Sequence, residues 1–312
     1  MMQQLIMESG NSSSINIPVF NGSNVLQSGI EITIPSVLWF RAYRSIDFPT
    51  VTNDKDYFFL WGTDHSTQSG GQIWWGKGNN LDCSDFQELG LIIQGNQSET
   101  PFALSVPNDA DGDVFYLYYH VNVSSGILGQ HTRLMTCSGG LLHNTTWTQR
   151  GEPLGSVTGE NHTGYFWVKK HPVDIYRGVH LTVGGFSAEY KFSTATNPRV
   201  FARGATYNLT QGIQTGFEVK ASHGEYFELY GQNWFIGTIE PFSSIVSSID
   251  KSLIIAKTDS NWQITEQLVE LNTNSRNYMA LIVGSVAYVY YTIQDDKVWY
   301  DSVNLTFLQN YI

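Results

Sequence analysis

The chain repeats one pattern of strands, and this repeat limits what it can fold into. Runs rich in aromatic and β-branched residues recur between clusters of Gly, Asn, Asp and Ser. They occupy residues 56–62, 114–120, 179–184, 232–237 and 286–292. Each run is the expected second strand of a unit, and each unit opens on a polar residue. Successive opening residues are 52 to 63 positions apart: Asp47, Glu99, His162, His223 and Arg276.

A period of this length with four strands per unit is typical of propeller blades. The sequence therefore predicts an all-β fold, a five-bladed β-propeller of four-stranded antiparallel blades. We expect one propeller domain over residues 44–312, with residues 304–308 as the last strand. Residues 1–43 form an N-terminal segment whose strands, such as residues 30–35, could close the ring instead. A β-sandwich, or a pair of sandwiches, is the alternative.

The composition excludes several classes of protein. Only 14% of the residues are charged and 14% are aromatic, a balance that excludes disorder and a coiled coil. The 17 Lys and Arg against 28 Asp and Glu give a formal net charge of −11, so we expect no nucleic-acid partner. The sequence has no apolar window of about 18 residues that could span a membrane.

The expected setting is extracellular, either secreted or associated with a virion. Eight Asn-x-Ser/Thr sequons favour it, although residues 1–16 show no secretory signal. Cys83 and Cys137 fit neither a zinc site nor a redox motif, and we expect two buried thiols rather than a disulfide. We expect a monomer without a cofactor, although a structural cation could occupy the central channel.

A propeller places the starts of its innermost strands around one mouth of the channel. The five opening residues are therefore predicted neighbours, and their convergence marks the predicted site. Trp61 and Trp234 are the candidate aromatic residues for binding a ligand by stacking. The other expected binding residues are polar: Asp64, His120, Arg133, Asn161, His180, His223 and Arg276.

Several segments resemble the blades of five-bladed glycosidases, namely the family-43-like arabinanases and xylosidases and their relatives. Residues 46–51 (Ile-Asp-Phe-Pro-Thr-Val) precede the aromatic strand 57–63, as an Asp-Pro-type motif does in those enzymes. Residues 73–81, and later 133–138 with 147–154, are similar to their outer-strand pattern. The resemblance covers roughly residues 44–300. It implies a glycoside hydrolase that cleaves an extracellular polysaccharide or oligosaccharide.

Members of that family use three carboxylates, because glycoside hydrolysis needs one protonated and one ionised carboxyl group. The resemblance implies that Asp47 is the base and that Glu225 or Glu99 is the acid. A tuning Asp is expected near position 162, where this chain has His162 instead. One related group of these enzymes uses a His as the acid, so His162 is compatible with a hydrolase.

Two other functions stay open. His162 and His180 could meet at the channel, with Tyr165 nearby, in a pattern similar to propeller-type ulvan lyases. A lyase acting on a uronate needs a base, an acid for the leaving oxygen and a cation, and Arg133 or Arg276 would be the cation. The third possibility is a glycan-binding module or phage adhesin that does not cut its ligand.

Overall fold

The computed structural model describes residues 23–24, 37–63, 70–95, 98–122, 129–155, 163, 166–171, 175–184, 187–207, 217–241, 252–272, 276–294 and 297–312. These residues form five four-stranded antiparallel sheets in a β-propeller arrangement. The predicted all-β class and propeller architecture are confirmed. Across the described ranges, no helix has the length and apolar character needed to cross a membrane.

Four of the sheets take their strands in chain order. The first strand of the chain, β1 (Ser23–Asn24), belongs to sheet five. Sheet one contains β2 (Val37–Arg44), β3 (Tyr57–Thr63), β4 (Gln72–Gly78) and β5 (Gln87–Gln94). Sheet two contains β6 (Glu99–Ser105), β7 (Phe115–Asn122), β8 (Gln130–Cys137) and β9 (Thr148–Gly151). Sheet three contains β10 (Trp167–His171), β11 (Ile175–Gly184), β12 (Ser187–Ala195) and β13 (Ala202–Tyr207). Sheet four contains β14 (Phe217–Leu229), β15 (Gln232–Pro241), β16 (Ser252–Thr258) and β17 (Ile264–Asn272).

Sheet five joins the two ends of the chain. It contains β18 (Arg276–Val283), β19 (Val286–Gln294) and β20 (Lys297–Asn304), and β1 pairs with β20 as its fourth strand. The strand expected over residues 304–308 is wrong, because residues 305–311 form a 3-10 helix. The Asn304 side chain accepts a hydrogen bond from the Thr306 N–H at 3.0 Å, a cap that favours a helical turn. Residues 30–35 lie outside the described residues.

The first sheet begins earlier in the chain than the repeat suggested. Its innermost strand is β2, and Asp47 follows that strand in a short 3-10 helix, Ser45–Asp47. The prediction that Asp47 opens the first strand is therefore wrong. Trp39 and Phe40 of β2 are almost completely buried, since an inner strand packs on both faces and is apolar where it does so. The expected second strand, β3, is present at Tyr57–Thr63.

The innermost strands of neighbouring sheets lie side by side. β2 contacts β6 and β18, β6 contacts β10, and β14 contacts β18 and β11. Aromatic side chains fill the spaces between the sheets, and the largest fully buried ones include Trp61, Trp75, Trp167 and Trp234. Burying each such side chain stabilises the fold by roughly 1.5–3 kcal/mol. Cys83 and Cys137 are free and buried, as predicted.

Candidate active site

Polar residues predicted to converge begin several of the innermost strands. Glu99 is the first residue of β6, and Arg276 is the first residue of β18. His223 lies within β14 (Phe217–Leu229), between Lys220 and Gly224, where the register with β15 is irregular. Glu99 and Arg276 lie at the end of the propeller where the innermost strands begin. His162 and Tyr165 lie outside the described residues.

The backbone is irregular at this end of the inner strands. The pairing register shifts between Leu38 and Arg41 in β2 and between Glu99 and Phe102 in β6. Within these bulges Trp39 and Thr100 have φ angles of 52° and 50°, a left-handed conformation that is uncommon outside glycine. Bulges of this kind change the direction of side chains and are frequent next to functional sites.

A buried acid–histidine pair lies at the same end of sheet two. Glu99 is opposite His120 in the register of β6 and β7, and its Oε1 shares a hydrogen bond with His120 Nδ1. Both side chains are fully buried. Carboxyl and imidazole groups are among the side chains that act as general acids and bases. The structure thus brings together one residue expected to be catalytic and one expected to bind substrate.

A second carboxylate, Glu225, lies where the inner strands of several sheets meet. Lys169 Nζ, from β10, lies 2.8 Å from Glu225 Oε1. The same ammonium group donates to the Tyr226 carbonyl oxygen at 2.6 Å. Arg41 NH1, from β2, lies 3.9 Å from Glu225 Oε2. The Glu225 side chain is 19% exposed and that of Lys169 is 45% exposed, so solvent reaches this group of charges.

Arg41 also contacts other residues around the propeller axis. Its guanidinium carbon lies 4.9 Å from the centroid of the Phe102 ring, and NH2 lies 3.1 Å from Met279 Sδ. The Phe102 and Trp167 rings are 6.1 Å apart, and the Trp167 and Tyr226 rings are 5.0 Å apart. Each inner strand contributes one of these five buried side chains. We call them the axial layer: Arg41, Phe102, Trp167, Tyr226 and Met279.

The charges of Arg41 and Glu225 both act on the buried phenol of Tyr43. Burial raises the pKa of Tyr43 to about 12, and the Glu225 charge adds to this rise while the Arg41 charge opposes it. The phenol oxygen accepts a hydrogen bond from the Ala103 N–H at 2.9 Å. Tyr43 is therefore neutral near pH 7 and contributes no charge to the site.

Asp47 lies away from these groups. Near the end of β3, Gly62 lies close to Trp39 of β2 and to Glu99 of β6. Further along the same two inner strands, Tyr43 of β2 accepts a hydrogen bond from Ala103 of β6. β2 and β6 therefore run in the same direction, and Asp47 follows the end of β2 opposite to the Glu99 end. Its carboxylate is exposed and binds Arg44 Nε and NH2 at 2.8 and 2.9 Å.

The two tryptophans expected to stack against sugars are part of the core. Trp61 is fully buried and packs against Phe40 and Phe86 at ring distances of 5.8 and 5.6 Å. Trp234 is also fully buried, and its Nε1 donates to the Leu229 carbonyl oxygen at 2.9 Å. Neither indole has a face open to a ligand.

The remaining expected binding residues are dispersed or undescribed. Arg133 is half-buried on β8, the third strand of its sheet, opposite Tyr119. His180 lies within β11, opposite Lys191. Asp64 and Asn161 lie outside the described residues. Within the described ranges, no group of three or more His, Cys, Asp and Glu side chains could hold a metal ion.

Sequence reasoning missed Arg41 and Lys169. Each is a cation within an inner strand, and Arg41 stands alone in the apolar run Val37–Tyr43. Because a buried charge is costly unless it is paired, an isolated arginine in such a run could have indicated an acidic partner. The sequence contains no signal that this partner is Glu225, which is 184 residues away.

Comparison with known proteins identifies the fold. No family model matches the chain, and no curated protein matches it. A solved glycoside hydrolase aligns with a TM-score of 0.62 and 11% identity over 86% of this chain and 91% of its own. An endo-arabinase from Bacteroides thetaiotaomicron VPI-5482 aligns with a TM-score of 0.58 and 11% identity over 87% and 96%. A thermostable family-43 glycoside hydrolase aligns with a TM-score of 0.55 and 10% identity over 86% and 90%. At these identities the likeness concerns the fold, and this chain has the β-propeller fold of glycoside hydrolases.

Proposed function

We propose that this protein is a glycoside-hydrolase-like enzyme that cleaves glycosidic bonds of an extracellular polysaccharide. One observation carries the proposal. Glu225 is a partly exposed carboxylate near the propeller axis, and Lys169 and Arg41 hold it from two other sheets. A positioned carboxylate at the centre of a fold shared with glycoside hydrolases is the group that glycosidic cleavage requires.

The reaction needs a second carboxyl group, and Glu99 is our candidate. It lies at the end of the propeller where the inner strands begin, and its hydrogen bond with His120 provides a path for a proton. Substrate binding would have to uncover Glu99, since its side chain is buried here. We assign no catalytic role to Asp47, because its carboxylate is exposed beside Arg44 at the other end of β2.

A uronate lyase is the second candidate, and the cations near the axis favour it. β-Elimination needs a positive charge beside the carboxylate of the uronate. The half-exposed Lys169 ammonium group could supply that charge together with Arg41. His162 and Tyr165 remain the proposed proton carriers for this reaction.

The experiment that tests the function is a screen of purified protein against neutral and uronate-rich polysaccharides. Hydrolysis produces new reducing ends without ultraviolet absorbance, whereas elimination produces both. The screen includes Glu225→Gln and, as a matched control, Glu228→Gln, an exposed glutamate on the same strand. We expect reducing ends from the wild type and the control, and a loss of at least 100-fold in Glu225→Gln. Glycan retention without cleavage would indicate a binding module.

We further propose that the five sheets are the five blades of one closed ring. The contacts between neighbouring inner strands and the pairing of β1 with β20 support this closure. The propeller domain then begins at β2 instead of residue 44. We also propose that the enzyme is an extracellular monomer that works without a cofactor.

A further inference from the structure

Resting on the proposed function, we propose that Arg41 and Lys169 are positioning residues that hold the side chain of Glu225 in place as the proton acceptor of the reaction. Glu225 then accepts a proton during the reaction instead of supplying one. This role differs from the acid role that the family resemblance implies. The proposal also gives a function to Arg41 and Lys169, which the sequence analysis did not select.

Lys169 makes the closest contact with the carboxylate. Its ammonium group lies 2.8 Å from Glu225 Oε1, the length of a charge-assisted hydrogen bond. The same group donates to the Tyr226 carbonyl oxygen at 2.6 Å. Two acceptors on adjacent residues of β14 therefore fix the position of the ammonium group, and the ammonium group in turn fixes Glu225.

Arg41 provides the second cation, which approaches the other carboxylate oxygen, Oε2. Only 3% of its side chain is exposed, and a buried guanidinium is stable where an anion is close. Glu225 Oε2 lies 3.9 Å away, and a charge pair at this distance interacts more strongly inside a protein than in water. The contacts with Phe102 and Met279 in the axial layer keep the guanidinium in place.

Among the described side chains, Lys169 and Arg41 are the cations that contact the Glu225 carboxylate. Tyr43 is another titratable group whose charge interacts with Glu225, and burial keeps this phenol neutral because its pKa rises to about 12. A general acid must carry a proton before the bond breaks. Glu225 contacts one cation through each of its two carboxylate oxygens, and this geometry suits it to receive a proton from water.

In hydrolysis, Glu225 would act on the water molecule that attacks the sugar. Glu225 takes one proton from a water molecule as the water oxygen forms a bond to the anomeric carbon. The bond from that carbon to the leaving oxygen breaks, and the leaving oxygen receives a proton from a separate acid. Glu99, with His120, is our candidate for that acid.

The leaving group of the substrate tests this role. Glu225→Gln is assayed on two aryl glycosides of the sugar that the screen identifies, one with a phenyl and one with a 2,4-dinitrophenyl leaving group. If Glu225 is the proton acceptor, kcat/KM falls about 10²- to 10⁴-fold on both substrates. If the dinitrophenyl substrate is cleaved at nearly the wild-type rate, Glu225 is an acid and the inference is wrong.

The pH profile tests the role of Lys169. In Lys169→Met we expect kcat to fall about 10-fold with little change in KM, and the acidic limb of the kcat/KM profile to move to higher pH. The reason is that a carboxylate without its cation takes up a proton more readily. Lys169→Arg should restore most of the activity, and Lys170→Met, which removes an exposed neighbouring charge, should behave like the wild type.

A shift of the basic limb in Lys169→Met, with the acidic limb unchanged, would overturn the inference, because it is the response of a group that must be protonated. Circular dichroism of each variant checks that it is folded. A wild-type protein that cleaves none of the polysaccharides or aryl glycosides would instead contradict the proposed function. A failure of the inference and a failure of the proposed function therefore give different results.

Discussion

Glu99 and His120 lie opposite each other on the first two strands of sheet two, and their side chains share a hydrogen bond that solvent does not reach. Removing one member of a buried polar pair leaves the other without its partner. We expect Glu99→Ala and His120→Ala each to lower the free energy of unfolding by about 3–5 kcal/mol.

A double-mutant cycle measured by urea unfolding checks this expectation. The double variant should lose less stability than the sum of the two single variants, with a coupling energy of about 0.5–3 kcal/mol. Additive losses would mean that the two side chains do not depend on each other in the folded protein.

Asp47→Asn should leave glycan cleavage within about two-fold of the wild type. The Asp47 carboxylate is exposed and paired with Arg44 at the end of β2 that lies away from Glu99. An exposed ion pair contributes only about 0.2–1 kcal/mol, so the melting temperature should change little. A large loss of activity with an unchanged melting temperature would show that Asp47 acts in catalysis.

Trp234→Ala should destabilise the fold by about 3–5 kcal/mol, because it removes a fully buried indole. The loss is measured as a lower urea midpoint, and we expect Trp61→Ala to behave in the same way. A variant of either residue with normal stability and a raised KM would restore the sugar-stacking interpretation.

Two arginines bind the connection between β6 and β7 of sheet two: Arg199, which follows β12 of sheet three, and Arg150, which lies on β9 of sheet two. Arg199 binds Asp109 and Asp111, and Arg150 binds Asp113. Hydrogen bonding and charge from Arg199 lower the pKa of Asp111. Burial raises the pKa of Asp113, but its hydrogen bonds with Thr136 and Arg150 outweigh burial, and the net pKa is lowered.

A carboxylate whose pKa is lowered by folding stabilises the protein above its unfolded pKa of about 4, and this contribution is lost as the pH falls towards its folded value. We expect the urea midpoint to be constant from about pH 7 to pH 5 and to drop below about pH 4. Arg199→Met should reduce that drop and the sensitivity to salt, whereas Arg44→Met should change neither. If the urea midpoint of Arg199→Met dropped at low pH as much as that of the wild type, these ion pairs would not be the cause.

The second strands of the sheets were predictable because their aromatic residues follow the period of a strand. β3, β15 and β19 contain the runs that the sequence marked. The start of sheet one was not predictable in the same way, since the Asp-Phe-Pro motif at Asp47 resembles a strand opening but begins at the last residue of a 3-10 helix. Two-residue β1 is too short to leave a periodic signal.

The candidate site was only partly predictable for a physical reason. Glu99 could be selected because it opens the second repeat unit, and Glu225 because it closely follows His223, which opens the fourth. The contact of Arg41 with Glu225 joins sheets one and four across the propeller axis. No local pattern encodes a contact of that kind, because it depends on how the whole ring brings distant strands together.

The most direct test of the central claim compares Glu225→Gln with Glu228→Gln on the polysaccharide that the wild type cleaves, with new reducing ends as the readout. Both glutamates lie on β14, but only Glu225 contacts Lys169 and Arg41 in the described structure. We predict that Glu225→Gln loses at least 100-fold in rate while Glu228→Gln keeps the wild-type rate. Equal rates in the two variants would show that cleavage does not depend on the carboxylate at the propeller axis.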